Sequence, residues 1–415
     1  MSEKKAPKAV LIFILGLLSS IGPISIDLYL PAFSAIASDL KTDVSSVMLS
    51  LSAFFVGISL GQLVYGPLLE RFGRKKPLYG GLALYALASV GCALSESVDA
   101  LIFFRGLQAL GGCVGMVASR TLVRDLFPVH QIAKVFSSLM LVIAVSPLIA
   151  PTLGSLITIH LGWRALFGVL VAVIAAIVLG IYFLLPEGAA PNPSYSLKPS
   201  SILKSFKSVL KEPQFALYTA TSSIAYSGLY AYISGSPFVF MDYFRTDETT
   251  YGLIFALIAA GLIGTAQING FLLSKWGSDQ IIRIALSIQS LVGLTLVLLT
   301  ATGLIQLWSM VGLLFLFLSC QGLIFPNASA LSMAPFSKNA GNASALMGFF
   351  QMSVGALLSA LVSLFHDGTA LPMTGVMAFC TLGASTVLAF GRLRLVRRAS
   401  KTLLAEEEAE MLNTL

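Results

Sequence analysis

Charge is scarce in this chain. Acidic and basic residues take 11% of 415 positions and hydrophobic residues 56%, whereas an ordinary soluble protein is about 25% charged. A water-soluble fold of this length could not hide so much apolar surface. With a mean hydropathy of +0.88, the composition reads as an all-α polytopic membrane protein. Cysteine is scarce too. Cys92, Cys113, Cys320 and Cys380 lie in apolar runs without CxxC or Cys/His spacing, so they are expected as small buried residues. Three scattered histidines make no metal site. HExxH and GxxxxGK[ST] are missing. Their absence speaks against a membrane enzyme and against ATP-driven transport within this chain, and no cofactor is expected. No large polar block is available to form a sensor domain.

The net charge of +7 could suggest nucleic acid. Its distribution excludes that partner, because the basic residues gather in loops on one side of a membrane. A bilayer core takes about 20 apolar residues as helix. On that ruler twelve spans are expected, over 8–31, 45–69, 78–96, 100–122, 134–158, 163–185, 215–241, 250–274, 279–300, 304–330, 341–366 and 371–391. With both ends and the polar stretch 186–213 placed inside, 22 of 26 Lys and Arg fall on the inner side. Lys41, Arg164 and Arg245 fall outside, and Arg105 lies within a span. This asymmetry predicts cytoplasmic ends. The first run starts basic, with Lys4, Lys5 and Lys8, but it is too long for a signal sequence and has no clear cleavage site.

Residues 186–213 divide the chain into a first six-helix bundle (1–185), this cytoplasmic linker, a second six-helix bundle (214–391) and a charged cytoplasmic tail (392–415). "GPLLERFGRKK" from Gly66 and "GFLLSKWGSDQ" from Gly270 occupy the same loop in the two halves. Such matching positions indicate a parallel internal repeat, a design of many secondary transporters.

Asp27, in "IDLYLPAF", is the one acid placed well within a span; Asp242 is its nearest rival. A carboxylate held away from water yet within its reach is costly to keep charged, so it can bind and release a proton near neutral pH. In "RGLQALGG", Arg105 and Gln108 are three apart and share a helix face. An intramembrane Arg requires a polar cavity or a partner. "SPLIAPTLGS" sets Pro147, Pro151 and Gly154 on one stripe, which suits close, movable packing against another helix. In the first loop, Gly66 and Gly73 would permit close helix ends and a turn, beside Glu70, Arg71 and Arg74. Glu70 is expected to latch onto a basic residue, with Arg120 and Arg124 as candidates. Cavity walls are expected from Tyr29, Tyr226, Tyr230, Tyr232 and Phe238. Gln321, Asn327 and Gln351 would either join helices or offer hydrogen bonds to a ligand.

These stretches resemble the major facilitator superfamily, specifically its twelve-helix drug:proton antiporters. "GPLLERFGRKK" looks like the superfamily loop motif, with Glu70 where Asp is usual. "RGLQALGG" looks like the basic motif of the fourth span, whose Arg is implicated in proton coupling. "SPLIAPTLG" resembles the antiporter motif of the fifth span, with Ser146-Pro147 in place of Gly-Pro. "IDLYLPAF", "FPNASALSM" and "AGNASALMGFFQ" narrow the likeness to the Bcr/CflA multidrug efflux group. The resemblance implies two six-helix bundles around a central cavity, in a bacterial inner membrane. It implies export of small amphipathic compounds driven by the proton gradient, with Asp27 and Arg105 in proton coupling and Tyr29, Gln108, Tyr226, Tyr230 and Gln351 at the substrate. The expected partners are a small-molecule substrate, protons and the bilayer, with the chain acting as a monomer. A dedicated exporter of an endogenous metabolite or siderophore is the alternative, and it would share every motif.

Overall fold

The computed structural model describes residues 7–194, 196–336 and 340–414, with side chains described up to Leu393 apart from several positions between 129 and 141 and a few near 200. Lys4, Lys5 and Lys338 lie outside the described residues, as do the side chains of Lys134 and of the basic tail from Arg394 onward. The described residues form helices and no strand. In order these are α1 (Lys8–Asp27), a 3-10 turn (Leu30–Ala32), α2 (Phe33–Asp39), α3 (Val44–Phe72), α4 (Lys75–Ala93), α5 (Val98–Leu126), α6 (Val129–Leu161) and α7 (Arg164–Leu184). After the linker come α8 (Pro199–Leu210), α9 (Pro213–Pro237), a π-turn (Phe238–Tyr243), α10 (Glu248–Leu272), α11 (Ser278–Ala301), α12 (Leu307–Met333), α13 (Ala340–Leu364) and α14 (Leu371–Thr414).

Among the described residues, ten stretches are long and apolar enough to cross a membrane; α4 and α9 fall short. The reason is clear in α9. It is rich in Ser, Thr and Tyr, yet most of it is buried among other helices. A helix that faces protein need not be greasy; some of its hydroxyls bond to its own backbone, while those of Thr221, Ser223 and Ser234 have no hydrogen-bond partner. Ser227 donates to the Ser223 carbonyl at 2.7 Å and Ser222 to that of Thr219 at 3.1 Å.

Helices α1 and α3 to α7 pack among themselves, and α9 to α14 do likewise. The main contacts between the halves are α3 with α13 and α6 with α10, and smaller ones join α3 to α9 and the 3-10 turn to α9 and α10. The end carrying Gly73 and the linker is called inner below. Along the α3–α13 seam, Ser52 and Ser359 hydroxyls are 3.0 Å apart and Ser59 and Ser353 hydroxyls 2.6 Å apart. The α6–α10 contact lies in the outer halves, where Gly252 sits against Thr152.

Three elements differ from expectation. The first span stops being α-helical at Asp27, because Pro31 lacks the N–H needed to continue and the chain turns through Leu30–Ala32 before α2. The linker contains a helix, α8. The last helix continues to Thr414 instead of ending near 391.

Candidate functional site

Asp27 is the last residue of α1 and is 5% exposed. Its Oδ2 accepts a 2.7 Å hydrogen bond from Ser146 Oγ on α6. The close approach has a visible cause. A Cβ on Gly154 would lie 2.2 Å from the Leu28 carbonyl oxygen, so only glycine lets α6 reach the end of α1. Pro151 is buried and Pro147 half-buried on the same helix. The stripe read in the sequence therefore faces α1 and the chain after it. Asp27 is also an electrostatic neighbour of Tyr232 and Tyr251, which belong to α9 and α10. The carboxylate thus sits where the two halves meet. Asp242 lies in the π-turn, where it accepts a 3.3 Å hydrogen bond from Ser34 of the other half.

Arg105 is fully buried. Its Nη1 donates to Gln108 Oε1 at 2.6 Å and its Nη2 to the Ser25 carbonyl at 3.2 Å. The guanidinium carbon lies 4.3 Å from the Tyr29 ring centre and 4.2 Å from that of Phe54. Nε has no hydrogen-bond partner, and no ion pair joins Arg105 to Asp27. Burying a cation costs several kcal/mol. Two desolvated aromatic faces return roughly 2 kcal/mol each and the two bonds about 1.5–3 kcal/mol each, so the charge is approximately supported without a carboxylate. Gln108 passes the network on, donating to Ser89 Oγ at 2.7 Å, and Tyr85 and Ser25 hydroxyls meet at 2.5 Å. Tyr29 and Gln108 lie inside the first half, with Tyr29 OH 2.7 Å from Ser50 Oγ.

The second half contributes an aromatic cluster. Tyr230 is 4.6 Å from Phe55 across the seam and 5.6 Å from Tyr226, which is 4.8 Å from Phe325. Gln351, on α13, is 7% exposed and its Nε2 has no partner. Gln321 instead donates to the Ala225 carbonyl, and Asn327 to Asn269 Oδ1 at 2.6 Å. Those two join helices. Phe238 packs edge-on against His366 at 4.2 Å.

At the inner loop, Glu70 pairs with Arg74 at 3.0 Å rather than with Arg120 or Arg124. Arg74 reaches further, to Asp125 Oδ2 at 2.7 Å. Burial alone works against the Arg74 charge, but Asp125 and Glu70 outweigh it and hold its pKa above the ordinary value. Arg120 and Arg124 are exposed on α5. Gly73 makes the turn at φ +81° and touches Pro191 of the linker, whereas nothing lies near Gly66 and no close approach occurs there. The linker closes over this loop. Asn192 N–H donates to the Glu70 carbonyl at 3.1 Å, Ala189 N–H to Asp125 at 3.0 Å, and Lys75 pairs with Glu187 at 3.2 Å. Asp125 was not singled out in the sequence, although an acid at the end of α5 opposite four loop cations is a readable signal.

Residues 12–360 match the family described as Major Facilitator Superfamily. The chain belongs to this family. It is 36% identical over 395 residues to an uncharacterized transporter of the superfamily, YdgK, from Bacillus subtilis, covering 92% of this chain and 95% of that protein. It is 32% identical to the bicyclomycin resistance protein homolog of Haemophilus influenzae, covering 90% and 94%. The solved structure of a D-xylose-proton symporter superposes with a TM-score of 0.70 at 14% identity, covering 92% and 96%; this likeness concerns the fold. The bicyclomycin resistance relative fits the Bcr/CflA group. As a major facilitator protein, the chain is a multi-pass membrane transporter of small molecules and not an enzyme.

Proposed function

We propose that this transporter exports small amphipathic compounds in exchange for protons, by alternating access across a bacterial inner membrane with both termini cytoplasmic. The observation that carries the reading is the position of Asp27. It is the acid buried at the junction of α1, α6 and the two tyrosines of the opposite half. A proton arriving there removes a buried charge at the seam, so it alters how the halves attract each other and a bound compound. A ligand or proton can drive the switch only through different affinities for two states. The bicyclomycin-resistance name of one relative supports a drug as cargo.

The burial pattern supports a form closed outside and open inside. In its outer half α10 buries Tyr251, Gly252, Ile254 and Phe255, while from Gly264 to Leu273 nearly every position except Asn269 is exposed. Tyr226, Tyr230 and Gln351 then offer aromatic faces and an amide donor to a compound entering from the cytoplasm.

The test uses purified protein and vesicles with an imposed pH gradient, after a broad compound panel has identified a cargo. Asp27→Asn should abolish substrate-induced proton release and uphill export while keeping downhill exchange. Undiminished uphill export by that variant would move the carrier elsewhere, with Asp242 next to examine. A panel in which only endogenous metabolites are moved would reassign the cargo.

A further inference from the structure

We infer that α8 and the end of the linker before it form a binding site for anionic phospholipid of the inner leaflet. Helix α8 has three distinct faces. Phe206 and Val209 are buried against Phe215 at the start of α9 and Ala343 and Leu346 at the start of α13, which fixes α8 at the inner boundary of the second half. Leu203 and Leu210, seven residues apart on the next stripe, are 64% and 43% exposed. Lys204, Lys207 and Lys211 follow on the stripe beyond and are exposed. A helix that shows protein, acyl chain and cation in that order around its axis is built for a membrane surface. Both leucines remain exposed, and at the boundary of a membrane protein the available apolar phase is lipid.

A receptor for the headgroup adjoins it. A cavity of about 440 Å³ is lined by Arg71, Ser194, Ser196, Leu197 and Lys198. It combines two cations and two hydroxyls with no acid in its lining, the chemistry of a phosphate site. Lys198 is the residue that opens α8, so cavity and helix are continuous. The neighbouring acids are accounted for in part, since Glu70 is paired with Arg74; Glu212 follows Lys211 at the far end of the helix. Juxtamembrane lysines attract anionic lipid and lose that attraction in salt.

The test places a fluorophore on the full chain at Leu203→Cys, the four native cysteines being buried, in vesicles of phosphatidylcholine and phosphatidylglycerol with bromine on the chains of one or the other. Brominated chains should quench at residue 203 and not at a Ser208→Cys control. Phosphatidylglycerol should be preferred by about fivefold or more, less so as sodium chloride is raised. Combined Lys→Gln changes at 198, 204, 207 and 211 should remove the preference, and the matching Lys→Arg set should keep it. Inorganic phosphate should not displace the lipid. Absence of quenching at 203, equal quenching by both lipids, a preference indifferent to salt, or one surviving the Gln set would each overturn the assignment. Loss of the preference to millimolar phosphate would make the cavity a site for free phosphate instead.

Discussion

Ser146 on α6 donates a 2.7 Å hydrogen bond to Asp27 at the end of α1. A bond to a charged group is worth about 1.5–3 kcal/mol, which corresponds to roughly tenfold or more in a rate or an equilibrium. Ser146→Ala is therefore expected to slow gradient-driven export by about tenfold while leaving measurable uphill transport, unlike Asp27→Asn. Initial rates in vesicles at matched protein amounts check this. A wild-type rate would remove Ser146 from the proton site.

The Arg105 guanidinium lies over the Tyr29 and Phe54 rings, with two of its nitrogens hydrogen-bonded. Lysine keeps the charge but not the fork. Arg105→Lys should thus lose most coupled transport, by about 10-fold or more, and Arg105→Ala should lose all of it. Purified variants that still unfold near the wild-type temperature but do not pump would separate a transport role from a packing one. Full activity in Arg105→Lys would show that charge alone suffices.

The inner clamp is centred on Asp125 more than on Glu70. Asp125 receives Arg74 and the Ala189 N–H, while the Glu70 side chain is 43% exposed and its pair is correspondingly weak. Asp125→Asn should change cysteine accessibility of the inner half of α10 more than Glu70→Gln does. An equal or reversed order would place the clamp's energy at Glu70.

The Ser52 and Ser359 hydroxyls, 3.0 Å apart, mark the outer part of the α3–α13 seam. With their hydroxyl oxygens in contact, the two side chains are near enough that a Ser52→Cys, Ser359→Cys pair is expected to oxidise. If the halves must separate there during a cycle, oxidation stops transport and reductant restores it. Unimpeded transport by the cross-linked protein would rule out separation at this seam.

Gly154→Ala forces a Cβ against the Leu28 carbonyl, which is backbone and cannot swing away. Such overpacking costs typically 1–3 kcal/mol. The expected result is a lower unfolding temperature in detergent, read by fluorescence. Gly66→Ala, where nothing lies near, is the matched control and should be silent.

Helices and their faces were readable in the sequence because a bilayer enforces length and apolarity, and because Pro147, Pro151 and Gly154 write a packing stripe directly. Partner choice was less readable. Glu70 has four loop cations and two on α5 within plausible reach, and only the fold shows that Arg74 turns back to it while also taking Asp125. Arg105 and Gln108 could be placed on one helix face from their spacing, but the bond from Arg105 to the Ser25 carbonyl on another helix could not be deduced from residue types. Helix α8 escaped notice because twelve residues are too few to cross a bilayer and Lys and Ser make the stretch polar, although Ile202, Leu203, Phe206, Val209 and Leu210 recur at helical spacing.

The linker is fastened at both ends to different bodies. Asn192 is bonded to the Glu70 carbonyl of the first half, and α8, from Pro199, is seated on the second. Seven residue steps separate 192 from 199, and extended chain covers at most about 3.3–3.6 Å per step. The segment is therefore a tether of about 25 Å, which sets a ceiling on how far the inner mouth can gape. Any wider opening must first peel α8 from its seat or pull Asn192 away from the loop, so cargo size and the clamp at Arg74 are limited by the same short length of chain.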